Sequence, residues 1–256
     1  MSYQKIIVTE FGGPEVLQLV EEDSLPEPAA NEIRVKVLAA GTGFTDTIVR
    51  EGQYVDNKEK PPFIPGYDWF GIVDKAGSNV SRYKVGDYVA DLSVIGGYTQ
   101  YLTVDADQVI PAPEGLDPAE AVAMILSYGT AYQMLSRECD LQPGDTALIH
   151  AAGGAVGSAM CELGRLLGIK MIGTASKGKH GLLENFNCQP IDYKSEDFVE
   201  RTMALTQNQG VKVVFDTLGG RNWSRSYRCL QRGGKLIGFG AYQLTSGEEK
   251  LPSVLL

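Results

Sequence analysis

The second half of the chain alternates short apolar segments with segments of helical periodicity, and this alternation constrains the fold more than any other feature. Beyond Asp117 the strand segments read "DTALIHA", "KMIGTA", "QPIDY", "VKVVFDTL" and "GKLIGFGA". The helices predicted between them cover residues 155–168, 178–186, 195–207 and 221–230. Strands and helices that alternate in this way predict a parallel, doubly wound sheet with helices on both faces.

The first half has a different texture, with short strand patterns separated by Gly and Pro turns. The segment "EIRVKVLAA" (32–40) alternates apolar and polar residues, as a half-buried strand does. Near the end of this half, the sequence predicts the start of a helix. Asp117 is an N-cap candidate, and Pro118 stands at the first helical position. We therefore predict an α/β protein with two domains, a mostly β domain over residues 1–125 and a doubly wound domain over residues 126–256.

Charge and hydropathy exclude several classes of partner. The 256 residues carry a formal net charge of −9 with scattered lysines and arginines, whereas nucleic-acid binding needs a basic face. The longest uncharged stretch, residues 121–136, is interrupted by polar residues and predicts no membrane span. The N-terminus has neither a signal-peptide nor a transit-peptide pattern, which favours a cytoplasmic location. Widely spaced cysteines predict reduced, buried thiols at Cys139, Cys161, Cys188 and Cys229.

A glycine-rich segment, "IHAAGGAVGSA" (149–159), stands between a predicted strand and a predicted helix. The apolar face predicted for that helix carries Val156, Met160, Leu163, Leu166 and Leu167. Small residues at this place let a pyrophosphate approach the N-terminus of the helix. An ordinary structural turn is the alternative, but the segment lies within a βαβ unit of the expected length. The sequence therefore predicts a dinucleotide site at Ala151, Gly154, Ala155, Val156 and Gly157.

The end of the next strand indicates which dinucleotide is bound. An NAD site normally places Asp or Glu here to accept bonds from the ribose hydroxyls. This chain has Thr174 within the strand and then Ser176 and Lys177, a hydroxyl and an ammonium that suit a 2′-phosphate. In the alternative interpretation, Lys177 and Lys179 are solvated loop residues. We predict NADPH as the cofactor, with Thr174, Ser176 and Lys177 among the residues that bind it.

Several motifs, in matching order and spacing, resemble the zinc-independent quinone oxidoreductases of the medium-chain dehydrogenase/reductase superfamily. They include "GFTDTIVREGQY", "PPFIPGYDWFGIV", "LSYGTAYQML", "HAAGGAVGSA" and "VVFDTLGG". Within that family the chain is similar to the branch that includes vesicle amine transport proteins. The resemblance implies a GroES-like, mostly β catalytic domain, a Rossmann domain and a cofactor cleft between them.

The same motifs predict that no metal is bound. Where zinc-dependent relatives have a Cys and a His as ligands, this chain has residues 42–44 (Thr-Gly-Phe) and 66–68 (Gly-Tyr-Asp), which bind Zn²⁺ poorly. The two histidines are His150 and His180. His150 stands beside the predicted phosphate turn, and its strand-end position, far from any cluster of cysteines or carboxylates, favours a structural or packing role over a catalytic one.

The resemblance also implies roles for individual side chains. Phe44 would shape an apolar pocket, Asp46 would hold polar contacts at its floor, and Tyr54 would hydrogen-bond a carbonyl oxygen or supply a proton. The alternative for Tyr54 is an ordinary loop aromatic. Thr130 would contact the nicotinamide end, with helix capping as its alternative, and Tyr193 would stack near the adenosine phosphate.

One further group follows the fifth strand, where open α/β sheets bind ligands at the carboxyl ends of their strands; it comprises Gly238, Phe239 and Gly240. Two departures from the family pattern stand out. Gly43 occupies a position where many relatives have Asn. The chain also stops soon after the fifth Rossmann strand, which we interpret as a missing last strand and a missing return to the catalytic domain.

These observations favour an NADPH-dependent reductase of quinones or α,β-unsaturated carbonyl compounds, with a small-molecule substrate and a homodimeric full-length form. An enoyl-thioester reductase is the alternative within enzymes. A nucleotide-binding scaffold or transport-associated protein, in which NADPH binding persists without turnover, is the alternative from another class, and Gly43 is the feature that favours it.

Overall fold

The computed structural model describes residues 1–54, 57–240 and 242–245, without the side chains of residues 244 and 245. The chain forms two compact units, Met1–Leu126 and Ser127–Leu256.

The described residues of the first unit form two antiparallel sheets and two short α-helices. Strands β1 and β2 pair with each other, and the other five strands form a sheet in the order β6-β3-β4-β5-β7. The elements are β1 (Tyr3–Val8), β2 (Leu17–Glu22), β3 (Glu32–Ala40), α1 (Phe44–Arg50), β4 (Trp69–Ala76), β5 (Tyr88–Asp91), β6 (Tyr101–Asp105), β7 (Ile110–Pro111) and α2 (Pro118–Ala123).

The strand and helix signals in this unit are confirmed at residue level. In β3, Ile33 and Val35 are buried while Lys36 is exposed, because alternate side chains of a strand point to opposite faces. The Asp117 side chain accepts bonds from the N–H groups of Ala119 (2.9 Å) and Glu120 (3.3 Å) and so caps α2.

The described part of the second unit contains a five-stranded parallel sheet in the order β10-β9-β8-β11-β12. This order confirms the predicted doubly wound topology. After a π-helical segment (Met124–Tyr128), its elements are α3 (Gly129–Ser136), β8 (Thr146–Ile149), α4 (Ala155–Leu166), β9 (Lys170–Ala175), α5 (His180–Asn185), β10 (Gln189–Asp192), α6 (Phe198–Leu205), β11 (Val211–Asp216), α7 (Arg221–Tyr227), β12 (Leu230–Gly238) and α8 (Tyr242–Thr245).

Both faces of this sheet are covered, as the alternation of strands and helices predicts. In β8, Ala147 and Ile149 pack in one core cluster with residues of α3, α4 and α5. Leu148 lies in a second cluster with Phe198 of α6. Central strands that are buried on both sides are apolar throughout, which explains why "TALI" shows no alternation.

The helices are shorter than predicted, and one helix face differs. The predicted helix 155–168 ends at Leu166, and Leu166 and Leu167 are 67% and 43% exposed instead of packing on the sheet. The buried face of α4 carries mainly small residues, so the helix lies close to the sheet; these residues are Gly157, Ala159, Met160, Cys161 and Gly164. Among the described residues, no helix combines the length and the apolar character needed to cross a bilayer.

Candidate functional site

The loops that follow the parallel strands of the second unit lie along one edge of its sheet. At the end of β8, Ile149 pairs with Gly173 of β9 on one side and with Phe215 of β11 on the other. The chain order reverses between β8 and β11, and open α/β sheets bind ligands at such a switch point. The predicted residues that follow β8, β9, β10 and β12 are therefore at the same edge.

The turn after β8 exposes main-chain donors. Ala151 has a positive φ of 55°, a left-handed conformation that bends the chain away from the strand. Gly154 is the N-cap of α4. Because glycine has no side chain to accept hydrogen bonds, the first turn of the helix is uncapped, and that turn contains no acidic residue. N–H groups at an uncapped helix N-terminus, together with the helix dipole, attract anions.

Gly157 is required where α4 passes over this turn. A β-carbon at this position would lie 2.3 Å from the carbonyl oxygen of Ala151 and 2.6 Å from Cα of Ala152. Both are main-chain atoms that cannot move aside without moving the turn. The third residue of the A-x-x-G-x-x-G pattern therefore fixes the close approach of the helix to the strand end.

The end of β9 presents a hydroxyl and two ammonium groups near this turn. Ser176 precedes a short 3₁₀ segment, Lys177–Lys179, whose lysines are exposed. The side chain of Lys179 lies over Gly153, where a β-carbon would be 3.0 Å from Cβ of Lys179. The adjacent strand ends in Asp192, but its carboxylate accepts bonds from Lys194 N–H (3.1 Å) and the Ser195 hydroxyl (3.0 Å) in its own turn.

The remaining predicted cofactor contacts occupy three different settings. Tyr193 is 57% exposed directly after β10. The segment 238–240 lies beside the end of β11, because Phe239 donates to the carbonyl oxygen of Asp216 at 3.0 Å. Thr130 lies within α3, whose N-cap is Tyr128, so the capping alternative for Thr130 is wrong.

Thr174 and His150 lie beneath the turn. Thr174 is 3% exposed, and its hydroxyl accepts a bond from Ala151 N–H (3.3 Å) and lies 3.1 Å from His150 Nδ1. Thr174 therefore supports the turn from below. Its side chain is buried and is not exposed to a ligand.

At its Nε2 atom, His150 faces a hydroxyl and a single carboxylate. Its Nε2 is 2.9 Å from the Ser226 hydroxyl and 4.0 Å from the carboxylate of Asp216, so it is close to a carboxylate. The structural role predicted for it agrees with its 1% exposure. Burial lowers the pKa of His150 to about 4, against the opposing effect of Asp216.

Sequence reasoning missed Asp216, which organises this buried network. One carboxylate oxygen accepts the N–H groups of Leu218 (2.8 Å) and Gly219 (3.0 Å). The other accepts Asn222 Nδ2 (2.9 Å) and the Ser226 hydroxyl (2.7 Å). A charged residue at the end of an otherwise apolar strand, as in "VVFDTLGG", was the available signal.

The depressed pKa of His150 predicts a loss of stability in acid. The folded state keeps His150 neutral down to about pH 4, whereas an unfolded histidine takes up a proton near 6.5. Stability should therefore fall as pH drops from 6.5 to 4, by on the order of 3 kcal/mol from this group. Urea unfolding against pH, compared with His150→Gln, measures the difference.

The other histidine provides the control, because His180→Gln should leave this pH dependence in place. Comparing variants also cancels the opposite contribution of Asp68, whose pKa burial raises to about 6. A pH dependence that is the same with and without His150 would contradict the assignment.

In the first unit, the predicted residue Asp46 ties three segments together. Its carboxylate accepts Gly43 N–H (2.8 Å) at the start of α1 and Tyr67 N–H (3.1 Å), and the hydroxyl of Tyr98 also bonds to it. The Gly43 bond is half of a capping box. Burial raises the pKa of Asp46 despite these donors.

The predicted residue Tyr54 meets a second tyrosine, Tyr67, which was not among the predicted site residues. The hydroxyls of Tyr54 and Tyr67 are 2.5 Å apart. Phe44, which begins α1, is 52% exposed. The structure thus links Asp46 to Tyr54 through Tyr67. In the sequence, Tyr67 is 21 positions from Asp46 and 13 positions from Tyr54.

Asp68 is a buried carboxylate in the same region. A β-carbon on Gly41 would lie 2.1 Å from its Oδ1, so the carboxylate rests directly on the main chain of Gly41. It accepts the N–H of Leu126 at 3.2 Å. Burial raises its pKa to about 6, and the nearby charge of Asp46 adds to this effect.

Zinc independence stays a prediction. Within residues 1–54, 57–240 and 242–245, no three His, Cys, Asp or Glu side chains converge as metal ligands would. Gly43, which stands where many relatives have Asn, has open space around it, since a β-carbon would find its nearest atoms at 3.8 and 4.0 Å.

Comparisons with known proteins match both units. The alcohol dehydrogenase GroES-like domain model matches residues 29–114, and the zinc-binding dehydrogenase model matches residues 155–255. Quinone oxidoreductase 1 of Escherichia coli is 38% identical over 237 residues, which cover 90% of this chain and 71% of that protein. A solved Escherichia coli quinone oxidoreductase complexed with NADPH has a TM-score of 0.85 and 35% identity, covering 93% of this chain and 73% of that one.

A relative with a different name is similar over nearly the whole chain. The zebrafish synaptic vesicle membrane protein VAT-1 homolog is 33% identical over 97% of this chain, which spans about half (51%) of that protein. The GroES-like and Rossmann architecture implied by the motifs is confirmed. The chain belongs to the quinone oxidoreductase family of the medium-chain dehydrogenase/reductase superfamily.

Proposed function

We propose that the chain is an NADPH-dependent reductase of quinones or α,β-unsaturated carbonyl compounds. The observation that carries this proposal is the edge of the parallel sheet in the second unit. There an uncapped helix N-terminus, closely packed through Gly157, lies beside a strand end with Ser176 and Lys177 and no Asp or Glu. The similarity to an NADPH-bound quinone oxidoreductase supports it.

The residues of this edge fit the parts of NADPH. The N–H groups of the first turn of α4 would hold the pyrophosphate, and Ser176 and Lys177 would hold the 2′-phosphate. The exposed ring of Tyr193 would stack on the adenosine. Thr130 and the segment 238–240 would contact the nicotinamide end. When bound, NADPH supplies the hydride for the reduction.

The first unit would supply the substrate side. Tyr54 would donate a hydrogen bond or a proton to the substrate oxygen, Phe44 would give an apolar surface, and Asp46 would hold the loop that carries Tyr67. A metal-free reaction, a cytoplasmic location and a homodimeric full-length form belong to the same proposal.

A steady-state assay with NADPH and 1,2-naphthoquinone tests the reaction. Saturable oxidation of NADPH supports the reductase. Tight NADPH binding by calorimetry without turnover of quinones, enones or enoyl thioesters supports the scaffold alternative, for which Gly43 in place of Asn is the specific observation. Preference for an enoyl thioester over the quinone supports the enoyl-thioester reductase.

Lys177→Ala should weaken NADPH binding much more than NADH binding. It removes an ammonium from the proposed 2′-phosphate position, a charge-assisted contact of about 1.5–3 kcal/mol, which corresponds to roughly tenfold to a hundredfold in Kd. The exposed Lys170 at the other end of β9 is the matched control, and Lys170→Ala should change neither affinity. Equal weakening of both coenzymes by Lys177→Ala would reject the assignment.

A further inference from the structure

Two tyrosine hydroxyls form a hydrogen bond in the first unit. Tyr54 and Tyr67 place their hydroxyl oxygens 2.5 Å apart. Their rings meet edge to face, with centroids 5.7 Å apart and planes at 88°. A hydrogen bond between two phenols has one donor and one acceptor, so the arrangement leaves one hydroxyl hydrogen for a third group.

Tyr67 is the more firmly held of the two. It is 7% exposed, its N–H donates to Asp46 at 3.1 Å, and its carbonyl oxygen accepts Val94 N–H at 3.0 Å. The preceding residue, Gly66, has a φ of +110°, and a β-carbon there would lie 2.6 Å from the main-chain nitrogen of Tyr98. The main chain is therefore fixed on both sides of Tyr67.

Tyr54 is half-buried and packs by its ring against a small apolar cluster that includes Val8, Val49 and Phe63. Its ring is thus supported on one side and its hydroxyl on another. These contacts fix the position of the Tyr54 oxygen, but the O–H bond can still rotate. A further hydrogen bond to the oxygen is needed to set the direction of the hydroxyl hydrogen. The Tyr67 hydroxyl is the group in a position to direct it.

We propose that Tyr67 is a positioning residue for Tyr54, donating its hydroxyl hydrogen to the Tyr54 oxygen and so turning the Tyr54 O–H toward the substrate oxygen. This inference rests on the proposed function. A donor chain of two hydroxyls is polarised along its length, and each bond strengthens the next. The pair thereby stabilises negative charge that develops on the reacting oxygen.

Reduction of the substrate requires a hydride and a proton, and in this proposal the two tyrosines supply the proton. The substrate gains two electrons and one proton as a hydride from NADPH and a second proton at its oxygen from the Tyr54 hydroxyl. The Tyr67 hydroxyl then donates to the Tyr54 phenolate, and water returns a proton to Tyr54. NADP⁺ and the reduced substrate are the products.

The test uses the full chain with Tyr67→Phe, Tyr54→Phe and the double substitution, each of which removes only hydroxyl groups. With NADPH and 1,2-naphthoquinone, Tyr67→Phe should lower kcat by roughly tenfold to a hundredfold, the range expected for a hydrogen bond to a developing charge. KM should stay within about twofold, because substrate binding is little affected. In the Tyr54→Phe background, adding Tyr67→Phe should cause no further loss of kcat.

Tyr83→Phe is the matched control, because it removes another buried tyrosine hydroxyl, which donates to the Val109 carbonyl oxygen at 2.9 Å in a different core cluster. It should lower the unfolding midpoint and leave kcat unchanged. A loss of kcat as large in Tyr83→Phe as in Tyr67→Phe would overturn the positioning role. An unchanged kcat in Tyr67→Phe, or losses that add in the double variant, would also overturn it.

Urea unfolding separates this inference from the proposed function. It compares the unsubstituted chain with Tyr67→Phe, Tyr54→Phe and the double variant. Because the two hydroxyls are hydrogen-bonded, Tyr67→Phe should cost less stability in the Tyr54→Phe background than alone. If this coupling is found but the unsubstituted chain turns over neither quinones nor enones, the proposed reaction is overturned and the pairing of the two tyrosines stands. Turnover without any coupling overturns the inference and leaves the proposed reaction intact.

Discussion

Gly157→Ala is expected to destabilise the chain by about 3 kcal/mol and to abolish measurable NADPH binding. The added methyl group would overlap the carbonyl oxygen of Ala151 and Cα of Ala152, at 2.3 and 2.6 Å. Relief requires α4 to move away from the end of β8, and this movement displaces the N–H groups proposed to hold the pyrophosphate. Urea unfolding and calorimetric titration with NADPH measure the two effects.

Gly181 offers the same substitution in a permissive place. It lies within α5, and a β-carbon there has no described atom within 4 Å. Gly181→Ala should raise stability by roughly 0.5–1 kcal/mol, because Ala favours a helix more than Gly does. Wild-type NADPH affinity in Gly157→Ala would show that the close approach of helix and turn is irrelevant to the cofactor.

Asp216→Ala is expected to cost about 3–5 kcal/mol, in the range for removing one partner from a buried polar network. The carboxylate has no exposed surface and accepts four bonds, two from main-chain N–H groups and two from side chains. Without it, these donors are buried and unpartnered. NADPH affinity should fall as well, because the network holds the ends of β8 and β11 together.

The exposed Asp140 provides the comparison for the same truncation. Asp140→Ala removes a surface carboxylate that bonds only to Gln142 among the described residues, and its effect should stay within about 0.5 kcal/mol. If Asp216→Ala changed the urea midpoint no more than Asp140→Ala, the buried network would not contribute to stability as described.

Patterns that are local in sequence predicted much of the molecule. The alternation in "EIRVKVLAA" predicts β3 over its full length, Glu32–Ala40, and the Asp-Pro pair at 117–118 predicts the start of α2. The order of strands and helices predicts the parallel sheet of the second unit. In each case the signal and its consequence lie within a few residues of each other.

Helix ends and the exposed face of α4 were predicted less well. Leu166 and Leu167 read as a continuation of an apolar face, but the sheet beneath α4 is contacted by Gly157, Ala159, Met160 and Gly164. Close packing on a sheet favours small side chains, and nothing in the local pattern shows how close the helix lies. Burial depends on the partner surface as well as on the helix.

By itself, the sequence determined the order of the elements, the glycine turn and the absence of an acidic residue after β9, since each depends on neighbouring residues or on residue type. Only the tertiary structure decided which distant side chains meet. Tyr67 lies against Tyr54, and Asp216 lies 4.0 Å from His150, because strands and loops far apart in the chain are packed side by side. Hydrogen bonds between such residues leave no periodicity in the sequence, and the folded backbone alone brings their atoms within bonding distance.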